Sequence, residues 1–466
     1  VIKVRSAVIL AAGKGTRMKS RIPKVMHEIL GKSMIMHVID NLKASKVDQI
    51  VVVLGHEAEL IQEHLQDVEN LIFVEQREQL GTAHALLQAE AILQDSTGTT
   101  MVVYGDVPLF SSASYADVFA THEAAHAACT IVTGVLGDAT GYGRIIRDEV
   151  TNNVIGNVEE KDATIEEKSI QEFNAGTYCF DNDLMFDILH QIKNDNAQSE
   201  YYLPDAIELY VQHGALVQGY QIADVTEVMG VNDRVALATV EGILSRKINE
   251  RWQVEGVSIM NPNATYIGPD VQIENDVVIE ANVRILGKST IKTGVYIGSN
   301  SEIVNSSIAE NTSVKQSVIT DSVIGSDNRI GPFAHLRMQT VTGQGNRIGN
   351  FVELKKSQIG DKTNAAHLTY IGDSEVGTRV NFGCGSITVN YNGVSKTKTT
   401  IGDDVFIGCN VNLLAPVTIG DNVLVAAGTT VSKDVPTNDL AIGRAQQENK
   451  PGYGALIKER YKNEKK

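Results

Sequence analysis

The sequence predicts an α/β domain followed by a solenoid of short parallel strands. Three observations predict it. Strand-like and helix-like runs alternate through the first half of the 466 residues. One amphipathic helical pattern follows them. An aliphatic residue then recurs on every sixth position through most of the second half.

The alternation places strands at residues 4–10, 50–54, 71–74, 101–104 and 130–136, with helical patterns such as 34–44 and 82–93 between them. That order predicts a mostly parallel sheet. Ala7-Val8-Ile9-Leu10 is too short for the core of a secretion signal and reads as the first strand. Between 235 and 255, Val240, Ile243, Leu244, Ile248 and Trp252 share one face at helical spacing, with Glu241, Arg246, Lys247, Glu250 and Arg251 around the rest. The expected organisation is a domain over 1–234, a linker helix over 235–255, and a solenoid with its tail over 256–466.

The beat runs Ile267, Ile273, Ile279, Ile285, Ile291, Ile297, Ile303, returns as Ile324, Ile330, Leu336, and again as Ile401, Ile407, Leu413, Ile419, Val425, Val431. A period of six fits neither an α-helix nor a meander. It fits a coil of three short sides, about 18 residues round, that sends one aliphatic side chain inward per side. Val271, Val277 and Val283, then Val405, Val411, Val417 and Val423, follow four residues behind, and Gly or Asp beside the Ile suits tight corners. Each buried Ile contributes roughly 1.5–3 kcal/mol, so about ten coils would make a rigid prism. The beat fails between Thr388 and Ile401, where a polar, turn-rich stretch has no inward residue. A loop extruded from a prism is where a solenoid carries function.

Composition narrows the function. A net charge of −16 argues against a general binder of nucleic acid or anionic membrane, so anionic ligands must be met by local cations and backbone N–H groups. Aromatic content of 5% suits an aliphatic interior. Cys129, Cys179, Cys384 and Cys409 form no metal-binding or redox spacing and read as reduced thiols of a cytoplasmic protein. No apolar stretch reaches transmembrane length, and the basic tail at 458–466 is expected to fray.

Leu10-Ala11-Ala12-Gly13-Lys14-Gly15-Thr16-Arg17-Met18 follows the first strand, and Pro23-Lys24 comes soon after. Glycines let a phosphate approach the backbone N–H groups, and Arg17 and Lys24 supply charge. The segment is neither a P-loop nor a dinucleotide fingerprint, since Met18 stands where the third glycine belongs. It resembles the signature of sugar-1-phosphate nucleotidyltransferases. From Ala7 to about Arg444 the order of motifs resembles one bacterial family, the bifunctional N-acetylglucosamine-1-phosphate uridyltransferases/glucosamine-1-phosphate acetyltransferases.

The resemblance implies a nucleotidyltransferase domain with a Rossmann-like mixed sheet, joined to a left-handed parallel β-helix, in a homotrimer. Leu10, Ala11, Ala12, Gly13 and Lys24, with Gln76, Gly81 and Thr82 on the uracil, would hold the nucleotide. Tyr104-Gly105-Asp106 and Asn232 would hold Mg²⁺ through Asp106 and Asn232, hard oxygen donors suited to it. Gly143, Glu159 and Asn174 would hold the sugar of the uridine-diphosphate product. Tyr201-Tyr202 matches a further family motif, with Pro204 where Thr is common. Arg17 and Lys24 would act catalytically by neutralising phosphate charge as the sugar phosphate attacks UTP.

In the second domain the resemblance implies that Arg337, Lys355, Tyr370, Asn381 and Lys396 bind glucosamine-1-phosphate. Cys384, Asn390, Tyr391, Cys409, Ala427 and Arg444 would meet acetyl-CoA. His367 matches the base that takes the amine proton, a role its ordinary pKa suits, whereas His27, His37, His84 and His335 read as structural. Cys384 and Cys409 depart from the small residue and the Ser common at their positions. The alternative reading is a single-activity sugar nucleotidyltransferase whose β-helix is structural or regulatory.

Overall fold

The computed structural model describes residues 4–196 and 198–464. The chain divides into two compact units, Val1–Lys247 and Ile248–Lys466.

In the first unit nine strands form one mixed sheet: β1 (Val4–Ala11), β2 (Gln49–Leu54), β3 (Leu71–Glu75), β4 (Gly98–Tyr104), β5 (Cys129–Val135), β6 (Arg144–Arg147), β7 (Val154–Val158), β8 (Glu172–Asp181) and β9 (Val217–Gln221). The main order is β9-β5-β8-β4-β1-β2-β3, with β6 pairing β8 and β7. β1 lies parallel to β2 and β4, whereas β8 is antiparallel to both its main neighbours. Strands buried on both faces explain the continuous apolar run Ala7–Leu10. One core packs on each face, the first around Ile9, Ile39, Val52 and Phe119, the second around Val8, Val53, Leu86 and Tyr210. The helix expected over 82–93 is two, Thr82–Leu87 and Glu90–Leu93. The amphipathic run is a single helix, Arg234–Val254.

The second unit is a left-handed parallel β-helix of hexapeptide repeats. Two sides run together as a 19-stranded ladder, and the third is a separate ladder of nine strands. Tyr266 pairs with Arg284 and Gln272 with Thr290, so each coil closes after 18 residues here. All sixteen residues of the predicted beat are buried. Between Ile303 and Ile324 the columns continue as Ile308, Val314 and Ile319, also buried, on sides of five or six residues. The shorter side shifts the beat without breaking the stack: Glu302 pairs with Val318, 16 residues on. Trp252 is buried, and Asn249 Nδ2 donates to the carbonyls of Pro262 and Thr265 at 2.8 and 2.9 Å.

The extruded loop is present and slightly shorter than predicted, because Ile387–Val389 and Thr399–Ile401 are strands. Ser374 pairs with Thr399, 25 residues on, so one coil carries about seven extra residues without losing register. The tail corrects another expectation. Tyr453–Asn463 is a helix, exposed along its length, rather than a frayed end. Among the described residues no helix is long and apolar enough to cross a membrane.

Candidate functional site

The carboxyl ends of β1, β3 and β4 meet in a cavity of about 380 Å³. That is where parallel α/β sheets bind ligands. Leu10, Ala11, Ala12, Gly13, Lys24, Gln76, Gly81, Thr82, Tyr104, Asp106 and Asn232 all line it. Gly13 has nothing within 4 Å of an added Cβ, so its backbone faces open space. Gly81, at φ 118°, would strike the Tyr201 backbone with any side chain, which fixes a glycine there.

Cations cap the cavity. Lys24 Nζ pairs with Asp106 Oδ2 and lies 3.3 Å from Asn232 Oδ1, which also accepts from Arg17 at 2.8 Å. Val231 N donates to Asp106 O at 2.9 Å and so holds the Asn232 loop against β4. Asp106 and Asn232 therefore offer two hard oxygens to one ammonium, the arrangement a divalent cation would use. Among the described residues no group of three or more His, Cys, Asp or Glu could hold a metal. A cation here would complete its shell from phosphate and water.

Gly143, Glu159 and Asn174 are not in the cavity lining but form a group beside it. A Cβ on Gly143 would meet Asn157 Oδ1 at 2.6 Å and Glu159 Oε1 at 2.8 Å. Asn174 sits at a β-bulge in β8, donates to Tyr178 Oη at 2.7 Å and accepts from Gly176 N at 2.8 Å. Bulges re-aim side chains next to sites. Tyr104 links this group to the cavity; burial, then the charge of Asp106, raises its pKa. Asp205 is pushed up to about 6 by burial and by Glu208, Glu159 and Asp162, so the sugar side is crowded with carboxylates.

Sequence reasoning missed Gln79 and Glu200 in the lining. Gln79 Nε2 donates to Ala12 O at 2.6 Å, closing the glycine turn, and its position three residues after Gln76 was the available signal. His84, read as structural, holds Gln76 Nε2 at 3.0 Å and so orients a cavity residue.

In the β-helix the stacking register gathers residues distant in sequence. His367 pairs with Asn350. One position on, Gly385 N donates to Leu368 O at 3.0 Å; then Asn410 N donates to Cys384 O and Gly428 N to Cys409 O, each at 2.8 Å. His367, Cys384, Cys409 and Ala427 thus form a ridge along one corner, one per coil. Arg444 Nη1 donates to Ala427 O at its far end. His367 and Cys409 are exposed, and Cys384 partly so.

A second cluster lies at the foot of the extruded loop. Arg337 and Lys355 are register neighbours, and Arg337 pairs with Glu353 at 2.8 Å. Lys355 Nζ meets Asp373 at 2.7 Å, and Asn390 Nδ2 reaches Asp373 and, at 3.3 Å, Tyr370 Oη. Burial works against the Lys355 ammonium, yet its hydrogen bond to Asp373 holds its pKa above the usual lysine value. Contact with Lys355 lowers that of Lys396. Gly372 leaves the room these groups need, since a Cβ there would strike Tyr370 Oη and lie 2.7 Å from Asn390 Nδ2. Asn381 stacks in register between Asn364 and Phe406 of the neighbouring coils. Tyr391 is exposed on the loop and donates to Gly393 O at 2.7 Å.

Family models match in both units: nucleotidyl transferase over residues 6–225, the bacterial transferase hexapeptide (six repeats) over 398–433, and a GMPPB C-terminal domain over 262–362. The chain is 52% identical over 447 residues to the bifunctional protein GlmU of Exiguobacterium sibiricum, covering 96% of this chain and 99% of that one. It is 50% identical to that of Halalkalibacterium halodurans and 49% to that of Listeria monocytogenes, each over 449 residues, 96% of this chain and 98% of the relative. Two units, each with its own polar constellation, and identity along nearly the full length of these relatives agree: the chain belongs to the bifunctional GlmU family.

Proposed function

We infer that the chain is a two-site enzyme of UDP-N-acetylglucosamine synthesis. It transfers acetyl from acetyl-CoA to glucosamine-1-phosphate, then uridylyl from UTP to N-acetylglucosamine-1-phosphate with release of pyrophosphate. One observation carries the reading: each unit has its own constellation of the required chemistry, a cation-capped cavity in the first and a histidine-headed ridge in the second.

In the first unit Gln76, Gly81 and Thr82 receive the base, and Gly143, Glu159 and Asn174 the sugar. Mg²⁺, held by Asp106 and Asn232, supplies charge neutralisation and orientation of the phosphates. Arg17 and Lys24 offset the charge of the phosphates and departing pyrophosphate. The attacking phosphate is already ionised, so no protein base is needed. In the second unit Arg337, Lys355 and Lys396 take the sugar phosphate, with Tyr370 and Asn381 on the sugar. His367 accepts the amine proton at Nδ1 or Nε2 as nitrogen attacks the thioester carbonyl; the C–S bond then breaks, and the CoA sulfur leaves and takes up that proton. Acetyl-CoA lies along the Cys384–Cys409–Ala427 corner, with Arg444 on its phosphates and Asn390 and Tyr391 beside it. Direct transfer needs no acetyl-cysteine.

The active form is a homotrimer. Phe333, Phe351 and Leu368 stand exposed at φ 59°, 54° and 44° on the corner next to His367, the phenyl rings stacked at 5.2 Å. An exposed apolar ridge on strained backbone suits a partner copy. Acetyl-CoA and UTP as co-substrates suit a cytoplasmic enzyme.

The test supplies UTP, Mg²⁺, acetyl-CoA and glucosamine-1-phosphate together and identifies UDP-N-acetylglucosamine by mass. His367→Ala is expected to lower acetyl transfer by about 10²–10⁴-fold with uridylyl transfer near normal. Asp106→Ala is expected to do the reverse, by about 10²-fold or more. Loss of both activities in either folded variant would refute the two-site assignment.

A further inference from the structure

Asp373 precedes no motif and sits in a Gly-Asp pair that reads as one more prism corner. Its carboxylate behaves differently from those of Asp361 and Asp403, which also follow a glycine. Asp361 and Asp403 accept from backbone amides of the preceding coil, Gln344 N at 2.8 Å and Thr378 N at 2.7 Å. Asp373 instead turns to side chains. Its Oδ2 accepts from both Lys355 Nζ and Asn390 Nδ2, and only 12% of its side chain and 5% of that of Lys355 are exposed. Its backbone is fixed on both sides, N donating to Lys355 O at 2.9 Å and O accepting from Thr399 N at 3.2 Å, where the extruded loop rejoins the prism.

We propose that Asp373 is a positioning residue that couples the two substrate subsites of acetyl transfer. One oxygen holds Lys355, on the sugar-phosphate side, and Asn390, on the acetyl-CoA side; the inference rests on the assignment of those two residues made above. An ammonium has three protons, so Lys355 can keep Asp373 and still offer donors to a phosphate. With Nδ2 spent on Asp373 and Tyr370, Asn390 presents Oδ1 to a ligand, an acceptor matched to the amide N–H groups of a pantetheine arm. Filling either subsite fixes Asp373 and thereby fixes the other, and such coupling is reciprocal. Burial opposes the charge on Asp373, but the hydrogen bonds from Lys355 and Asn390 outweigh it and keep the carboxyl below its usual range, so the hub is ionised at neutral pH.

The experiment measures CoA affinity in the full-length protein by calorimetry, with and without saturating glucosamine-1-phosphate, a pair that binds without reacting. In the unaltered protein the sugar phosphate is expected to tighten CoA binding at least about fivefold, the lower range of measured couplings. Asp373→Asn is expected to bring that ratio to about one, to raise KM for both substrates, and to leave uridylyl transfer intact. Asn390→Ala breaks the same contact from its other end, serves should Asp373→Asn not fold, and is expected to lower the ratio likewise. A merely structural role would lower Tm and keep the ratio. A ratio of one in the unaltered protein, or an unchanged ratio in both variants, overturns the proposal. Lys355→Met separates the two failures: if it spares acetyl transfer, the subsite assignment itself falls.

Discussion

Cys409 and Cys384 occupy equivalent positions in successive coils, yet Cys409 is exposed and Cys384 is partly covered. Cys129 and Cys179 are fully buried, and burial raises both thiols well above their usual pKa. Reactivity follows thiolate fraction and access. A maleimide is therefore expected to modify Cys409 first and Cys384 more slowly, with Cys129 and Cys179 untouched in the folded protein. Acetyl-CoA should slow both reactions. Peptide mapping by mass spectrometry reads the order, and early labelling of Cys129 would contradict the burial described. At this scale the sequence reading grouped Arg17, Lys24, Asp106 and Asn232, and the fold brings those four side chains into mutual contact from segments more than 200 residues apart. Asp373 was not legible, because a corner aspartate and a buried ionic hub are spelled alike and only the register of adjacent coils distinguishes them.

Each β-helix element buries one aliphatic residue per side, so single truncations report on a column. Ile297 is fully buried, whereas Ile387, in the strand before the extruded loop, is 38% exposed. Ile297→Ala is expected to destabilise by about 2–5 kcal/mol, from lost transfer energy plus the cavity left behind. Ile387→Ala should cost less, roughly 1 kcal/mol. Thermal melts followed at 218 nm compare the two, and equal losses would contradict the inward columns. Period-six spacing made these columns readable from sequence. The stretch from Ile303 to Ile324 escaped because five-residue sides break the count while the stack goes on. The helix expected over 82–93 was misjudged because its apolar spacing continues past Gln88 and Ala89, where the backbone turns.

For the whole molecule, the fold class was legible because both units repeat a simple pattern, alternation in one and six-residue spacing in the other. Assembly entered the reading only through the resemblance, since an exposed aromatic acquires meaning only beside its neighbours. Phe351 is 59% exposed and stacks on Phe333, and Leu368 continues the same corner in the next coil. The proposed homotrimer is expected to dissociate to monomer in sedimentation on Phe351→Asp, with acetyl transfer lowered by about 10²-fold, since a small misplacement of catalytic groups costs that much. Uridylyl transfer should persist. A monomer with full acetyl transfer would show that one copy suffices.

The pairing of Ser374 with Thr399 across 25 residues, against Thr399 with Val417 across 18, separates chemistry from architecture. A coil closes wherever its three short sides meet, and whatever length is spliced into a bend hangs outside without renegotiating the next rung. Segments of other sizes and compositions are therefore expected to be accepted at Tyr391–Lys396 while the prism and the Asn390–Asp373 contact stand, so substrate choice can be rewritten independently of the support that displays it.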